Sequence, residues 1–145
     1  MLKNLNPNAK IILITPLQRG DFVYITNAKN NAYGSYKPKN EQNLAKFAEA
    51  IVNIAKIEDI PFIDLFNKSG IKQKNMVNFK RLKDPKTGEY KNFKYPSFID
   101  IPFNPETDEY PYPIESINMT YDGLHPADKG NAVIAKMLVK VMKKF

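Results

Sequence analysis

Two short apolar runs enclose one long amphipathic segment in the first half of the chain. The runs cover residues 10–15, which end before Pro16, and residues 60–66. Uninterrupted apolar residues over four to eight positions are typical of strands buried on both faces, as in a parallel sheet. Between the runs, apolar residues recur at three- and four-residue steps and predict a helix that ends near Glu58. The order strand, helix, strand predicts a right-handed crossover between parallel strands.

Residues 71–118 depart from this pattern and are interpreted as an insertion, because they hold six of the eleven prolines. The sequence Asp-Pro-Lys-Thr-Gly at 84–88 predicts a hairpin turn. Residues 71–94 carry eight Lys or Arg against two acids, whereas residues 95–118 carry five acids and no Lys or Arg. We expect the two halves to neutralise each other, with a basic anion-binding face as the alternative. The clustered aromatic residues predict a satellite core under a long loop.

A last helix is predicted over residues 126–145. Pro126 suits the first helical position and Asp128 suits the positive end of the helix dipole. The predicted buried stripe consists of Ile134, Met137, Leu138, Val141 and Phe145. The chain is therefore predicted to form one α/β domain over residues 1–145, with the insertion at 71–118.

Composition and charge exclude several classes of protein. A chain of 145 residues with 43% hydrophobic and 26% charged residues fits one globular domain. No apolar run approaches the roughly 20 residues of a membrane span, and no secretory signal is visible, so no membrane partner and no compartment are predicted. The absence of cysteine excludes disulfide scaffolds and thiol catalysis. The net charge is +7, yet only Arg19 and Arg81 supply the planar guanidinium that reads guanine, so no nucleic-acid partner is predicted.

His125 is the only histidine, and it lies just before the last predicted helix. The positive end of the helix dipole favours the neutral ring, which can accept a proton. Asp122 is three residues earlier and can reach round Gly123 to orient the ring, as a catalytic base requires. The alternative is a surface histidine at a helix entrance, with Asp122 as an ordinary turn residue. A metal site is not predicted, because there is no second histidine and no cysteine.

The sequence Asp-Gly-Leu-His-Pro at 122–126, followed by Gly130 and by small and apolar residues at 132–135, resembles the last conserved block of the SGNH hydrolases, also called GDSL esterases and lipases. Residues 6–16 resemble the fourth strand of that family with its lead-in, and residues 60–65 resemble the fifth. The resemblance covers residues 1–70 and 119–145. It implies the C-terminal part of a three-layer, flavodoxin-like α/β sandwich that hydrolyses esters without a cofactor, with His125 as general base and Asp122 as its orienting acid.

The chain departs from that family at the nucleophile. The Gly-Asp-Ser block has no counterpart, since the four serines, Ser35, Ser69, Ser97 and Ser116, lie in other contexts. The blocks that supply the Gly and Asn of the family's oxyanion hole are missing as well. We therefore expect the C-terminal portion of an enzyme, with an α/β domain that is incomplete at its N-terminus and inactive alone. A catalytic serine among the four is the alternative.

Two further residues are candidates for substrate binding. Arg19 follows the first predicted strand, at the carboxyl end where open α/β sheets bind ligands, although it could instead pair with Asp21 or another acid. Tyr121 precedes the Asp-x-x-His sequence. The expected substrate is a small-molecule or carbohydrate ester.

The strand at residues 10–15 is predicted to have an open, aggregation-prone edge. We expect a second copy of the chain, or the missing N-terminal half, to cover it. The competing interpretation of the whole chain is a non-catalytic binding or assembly module in which the Asp-x-x-His turn is a relic.

Overall fold

The computed structural model describes residues 6–20, 43–104 and 106–145. Its elements in chain order are β1 (Leu13–Ile14), α1 (Leu44–Ile57), β2 (Phe62–Ile63), α2 (Leu65–Lys68), α3 (Gln73–Met76), β3 (Lys80–Lys83), β4 (Tyr90–Phe93), a 3-10 turn (Ile114–Ser116) and α4 (Asp128–Met142). Strands β1 and β2 pair in parallel, with α1 between them in the chain. The predicted parallel strand-helix-strand unit is therefore confirmed, and the fold is a mixed α/β one.

Both strands are shorter than the apolar runs suggest. The ladder consists of bonds such as Thr15 N to Ile63 O at 3.0 Å, and it stops at Pro16, which has no N–H to donate. Directly after β2, the Asp64 carboxylate accepts a bond from Asn67 N at 3.0 Å and caps α2. Residues 65 and 66 therefore belong to a helix, and the prediction of one strand over 60–66 is wrong in its second half.

Residues 71–118 fold around their predicted hairpin. Strands β3 and β4 pair antiparallel across the turn at 84–88, where Gly88 has a φ of +75°. A hydrophobic core beneath them contains Val77, Leu82, Phe98, Phe103 and Tyr112. The hairpin is thus confirmed, and aromatic residues of the segment do form a core.

Ion pairs connect the basic and acidic halves of this segment. Arg81 Nε lies 2.5 Å from Glu109 Oε2, and Lys83 Nζ lies 3.8 Å from Asp108 Oδ1. Asp108 also accepts a bond from the Tyr90 hydroxyl at 3.1 Å. These contacts support mutual neutralisation rather than a basic face that binds anions.

Helix α4 begins two residues later than the sequence suggests. Ala127 is the N-cap, and Pro126 forms a bridge with Thr120 instead of taking the first helical position. The predicted apolar stripe is only half-buried among the described residues, and Phe145 is exposed, because the helix packs there against the short strand β2. None of the helices in the described ranges is long and apolar enough to cross a bilayer.

Candidate functional site

The Asp-x-x-His sequence forms a tight turn, residues 122–125, in which the Asp122 carboxylate forms hydrogen bonds with three nitrogen atoms. Asp122 Oδ1 accepts from the backbone N–H of Leu124 at 2.9 Å and of His125 at 2.8 Å. Asp122 Oδ2 lies 2.8 Å from Nδ1 of the His125 ring. Because backbone and ring are both tied to Asp122, the imidazole has a defined orientation.

The electrostatics of the turn keep Asp122 ionised. Its side chain is largely buried, and burial raises the pKa of a carboxyl group. The hydrogen bonds from the backbone and ring of His125, and then from Leu124, act in the opposite direction and prevail, so the pKa of Asp122 lies below its usual 3.8. An ionised carboxylate only accepts hydrogen bonds, so Nδ1 carries a proton in this contact.

This assignment leaves Nε2 of His125 as the nitrogen that can accept a proton. The His125 side chain is 70% exposed, so a substrate or another protein segment can reach the ring. An oriented imidazole with an ionised carboxylate behind it is an arrangement suited to general acid–base chemistry.

Two backbone contacts fix the turn relative to the sheet. Gly20, in the loop after β1, donates its N–H to Gly123 O at 2.6 Å. Gly123 has a φ of +79°, and a Cβ on it would lie 3.4 Å from Gly20 Cα, so glycine suits both the conformation and the close approach. The ends of the turn are joined by a bond from Tyr121 N to His125 O at 2.9 Å. The histidine therefore lies beside the loop that leaves the carboxyl end of the parallel sheet.

The chain is similar to a possible lipase from Chitinophaga pinensis DSM 2588. The two are 57% identical, with a TM-score of 0.89, over 99% of this chain and 56% of the crystallised one. The chain thus spans little more than half the length of that protein. No protein-family model matches the chain, and no curated protein matches it either. The expected likeness to an esterase or lipase is confirmed at this level.

The two predicted substrate-binding residues lie next to residues of the Gly20 and Gly123 contact or of the turn. Arg19 immediately precedes Gly20 and is half-buried. Tyr121 is 46% exposed and directly precedes Asp122. The structure thus brings both candidates to the segments that meet at the Gly20 and Gly123 contact. Asp21, the acid proposed as an alternative partner for Arg19, lies outside the described residues.

The described serines serve other purposes. Ser116 is fully buried and donates its hydroxyl to Pro113 O at 2.7 Å, and Ser69 Oγ accepts from Ile71 N at 3.1 Å. Ser97 is exposed beside the hairpin, and Ser35 lies outside the described residues. Within the described ranges, the His125 ring forms its hydrogen bond with Asp122 and with no serine. No three His, Cys, Asp or Glu side chains in those same ranges are grouped to hold a metal ion.

The sequence alone did not reveal Thr120 and Gln73 as neighbours of the site. Thr120 Oγ1 accepts from Gly123 N at 2.9 Å, and Gln73 Nε2 donates to Arg19 O at 2.8 Å. A buried threonine and a glutamine at a helix start have no distinctive pattern in a single sequence. Asp122 and His125 could be predicted from the sequence because both lie in one short turn.

Proposed function

We propose that this chain supplies the general base and its orienting carboxylate to an ester hydrolase of the SGNH type. His125 is the base and Asp122 the orienting acid. The observation that carries the proposal is the 2.8 Å contact between His125 Nδ1 and Asp122 Oδ2, with Asp122 ionised and the ring otherwise exposed. Similarity to a possible lipase over 99% of the chain supports the same class of reaction.

In the proposed reaction a serine hydroxyl attacks the carbonyl carbon of an ester while Nε2 of His125 takes its proton. The tetrahedral intermediate then expels the alcohol, which receives that proton from the imidazolium. Water repeats the sequence on the acyl-enzyme and releases the acid. Throughout, Asp122 stabilises the imidazolium and keeps the proton on Nδ1.

We propose that the serine and the oxyanion-hole donors come from residues outside these 145. Two observations support this. The described serines are engaged elsewhere or lie at the hairpin, and the matching region of the possible lipase is only 56% of that protein. The chain alone is then inactive, since its base has no nucleophile to activate.

The substrate is proposed to be a small ester, with an acylated carbohydrate as the favoured class. Arg19 and Tyr121 are the proposed binding residues because they lie on the two segments that meet beside His125. An Arg guanidinium suits carboxylate or sugar oxygens, and an exposed Tyr ring suits a sugar face.

The 57% identity allows a direct test. A chimera in which this chain replaces the matching region of the Chitinophaga protein is assayed on p-nitrophenyl acetate, beside the 145-residue chain alone. We expect hydrolysis by the chimera only. His125→Ala is expected to lower kcat by roughly 10²–10⁴-fold, the contribution of a positioned general base. Lys136→Ala, on an exposed position of α4, is the control and should retain full activity.

Three outcomes would count against the proposal. A folded, active chimera whose rate survives His125→Ala would remove the histidine from the mechanism. Activity of the chain alone that disappears in Ser35→Ala would locate the nucleophile inside this chain. A folded chimera without any hydrolysis, measured beside an active Chitinophaga parent, would favour the binding or assembly module.

A further inference from the structure

We infer that Thr120 is a positioning residue through which the inserted segment 71–118 sets the orientation of His125. The inference rests on the proposed function for its catalytic meaning, but its geometry and its test are independent of any hydrolysis. The resemblance to the SGNH family excludes this segment, so the family pattern assigns it no part in the site.

The Thr120 hydroxyl joins the insertion to the turn at 122–125. The residue is fully buried, and its Oγ1 donates to Met76 O at 2.9 Å, at the end of α3. The same oxygen accepts from Gly123 N at 2.9 Å. A hydroxyl has one proton to donate, and here that proton and one lone pair are used on two different segments. Thr120 N also donates to Met76 O at 2.9 Å, so the residue is held to α3 through both backbone and side chain.

A second connection runs from α3 to the other side of the site. Gln73, in the first position of α3, donates from Nε2 to Arg19 O at 2.8 Å. Arg19 leads into Gly20, which bonds Gly123. The contacts therefore form a closed circuit from α3 through Thr120 to Gly123, across to Gly20, and back through Gln73. One short helix of the insertion thus holds both segments that meet at the site.

This circuit limits the freedom of the turn that carries the base. Gly123 is clamped between the Thr120 hydroxyl on its N–H and Gly20 on its carbonyl oxygen. The Tyr112 hydroxyl, from the core of the insertion, approaches the same glycine, 3.5 Å from where a Cβ would be. Catalytic groups need placement within roughly 0.5 Å and 10–20°. Loss of the Thr120 bonds releases the N-terminal side of Gly123 and with it the carboxylate of Asp122.

The test uses the single histidine as its own probe. In the ¹⁵N-labelled chain, the two ring-nitrogen shifts of His125 report which nitrogen carries the proton, with no assignment ambiguity. We expect the Nδ1–H form in the wild type. Asp122→Ala defines the shifts of the released ring. Thr120→Val, which keeps the shape and removes both side-chain bonds, should move the shifts at least half of the way towards that reference. Thr120→Ser, which keeps the hydroxyl, should restore them.

Thr15→Val is the matched control. Thr15 is also a buried threonine whose hydroxyl accepts from Phe66 N at 3.0 Å and donates to Asp64, but these partners lie at the start of α2. Both valine variants should lower the thermal midpoint, because both lose buried hydrogen bonds. Only Thr120→Val should move the His125 shifts.

The inference is overturned if Thr120→Val is folded and its His125 shifts stay at the wild-type values, or if Thr15→Val moves them equally. Neither result bears on whether His125 is a base. Conversely, a chimera that keeps its activity in His125→Ala removes the proposed function, while the coupling between Thr120 and the ring orientation can still be measured.

Discussion

Gly130→Ala provides the sharpest stability prediction. Helix propensity predicts that this substitution raises the free energy of unfolding, whereas packing predicts that it lowers it. Gly130 lies in the first turn of α4 and is the only buried residue of that helix. A Cβ at this position would lie 2.2 Å from Met119 O and 3.3 Å from Pro126 Cβ. Met119 O already accepts a bond from Ala127 N at 3.0 Å, so the methyl would displace a backbone carbonyl group that is held in place, beside the ring of Pro126.

The magnitude follows from these contacts. Gly130→Ala gains up to about 1 kcal/mol of helix propensity. Against this, the methyl and Met119 O must separate from 2.2 Å to beyond 3.0 Å, and the backbone cannot yield as a flexible side chain would. Overpacking of this kind costs about 1–3 kcal/mol, and weakening the Ala127 bond adds about 1 kcal/mol. The net expectation is a loss of about 2 kcal/mol, which lowers Tm by roughly 8 °C for a chain of this size.

Thermal and urea unfolding followed by circular dichroism measure this loss. Ala135→Gly, at an exposed position of the same helix, calibrates propensity alone and should destabilise by about 1 kcal/mol. If Gly130→Ala leaves Tm unchanged or raises it while Ala135→Gly behaves as expected, the inference that α4 packs too closely on Met119 to accept a methyl group is contradicted.

Three further predictions concern other parts of the molecule. The pKa of Asp122 is lower in the folded chain than the ordinary value of 3.8, so its ionisation stabilises the fold above that value, and this contribution is lost as the pH falls through the folded pKa. The urea midpoint of the wild type should therefore fall more between pH 7 and pH 3 than that of Asp122→Asn, and an equal fall would contradict the assignment. Leu82→Ala should cost about 2–5 kcal/mol, because the side chain is buried in the core of the insertion, and amide exchange should accelerate first in β3 and β4; slow exchange throughout would refute this. The chain alone should self-associate through the edge at residues 10–15, where Ile14 is 42% exposed, and a light-scattering mass of a well-folded monomer at low concentration would exclude that.

Local chemistry made part of the site predictable. Asp122 and His125 lie three residues apart in one turn, so their contact follows from a short stretch of sequence and from the conformational freedom of Gly123. The parallel pair β1 and β2 was likewise predictable, since each strand is a continuous apolar run and a 14-residue helix separates them. The hairpin followed from its turn residues.

Other features depend on partners far away in the chain. Thr120 bonds Met76, 44 residues earlier, and Gln73 bonds Arg19, 54 residues earlier. A single sequence contains no periodicity or motif for such pairs, because hydrogen bonds between distant segments depend on how those segments pack. The start of α4 was misjudged for a different reason, since the chain folds back on itself over residues 119–127 and the bridge between Thr120 and Pro126 keeps the proline out of the helix.

The sequence by itself therefore determined the mixed α/β class and the contact between Asp122 and His125. Both rest on local patterns, namely the spacing of apolar residues, the turn-forming residues and the three-residue separation of Asp122 and His125. Only the tertiary structure decided what holds that pair in place. The close approach of Gly20 to Gly123 and the bonds of the buried Thr120 hydroxyl exist because the loop after β1, helix α3 and the turn at 122–125 pack together.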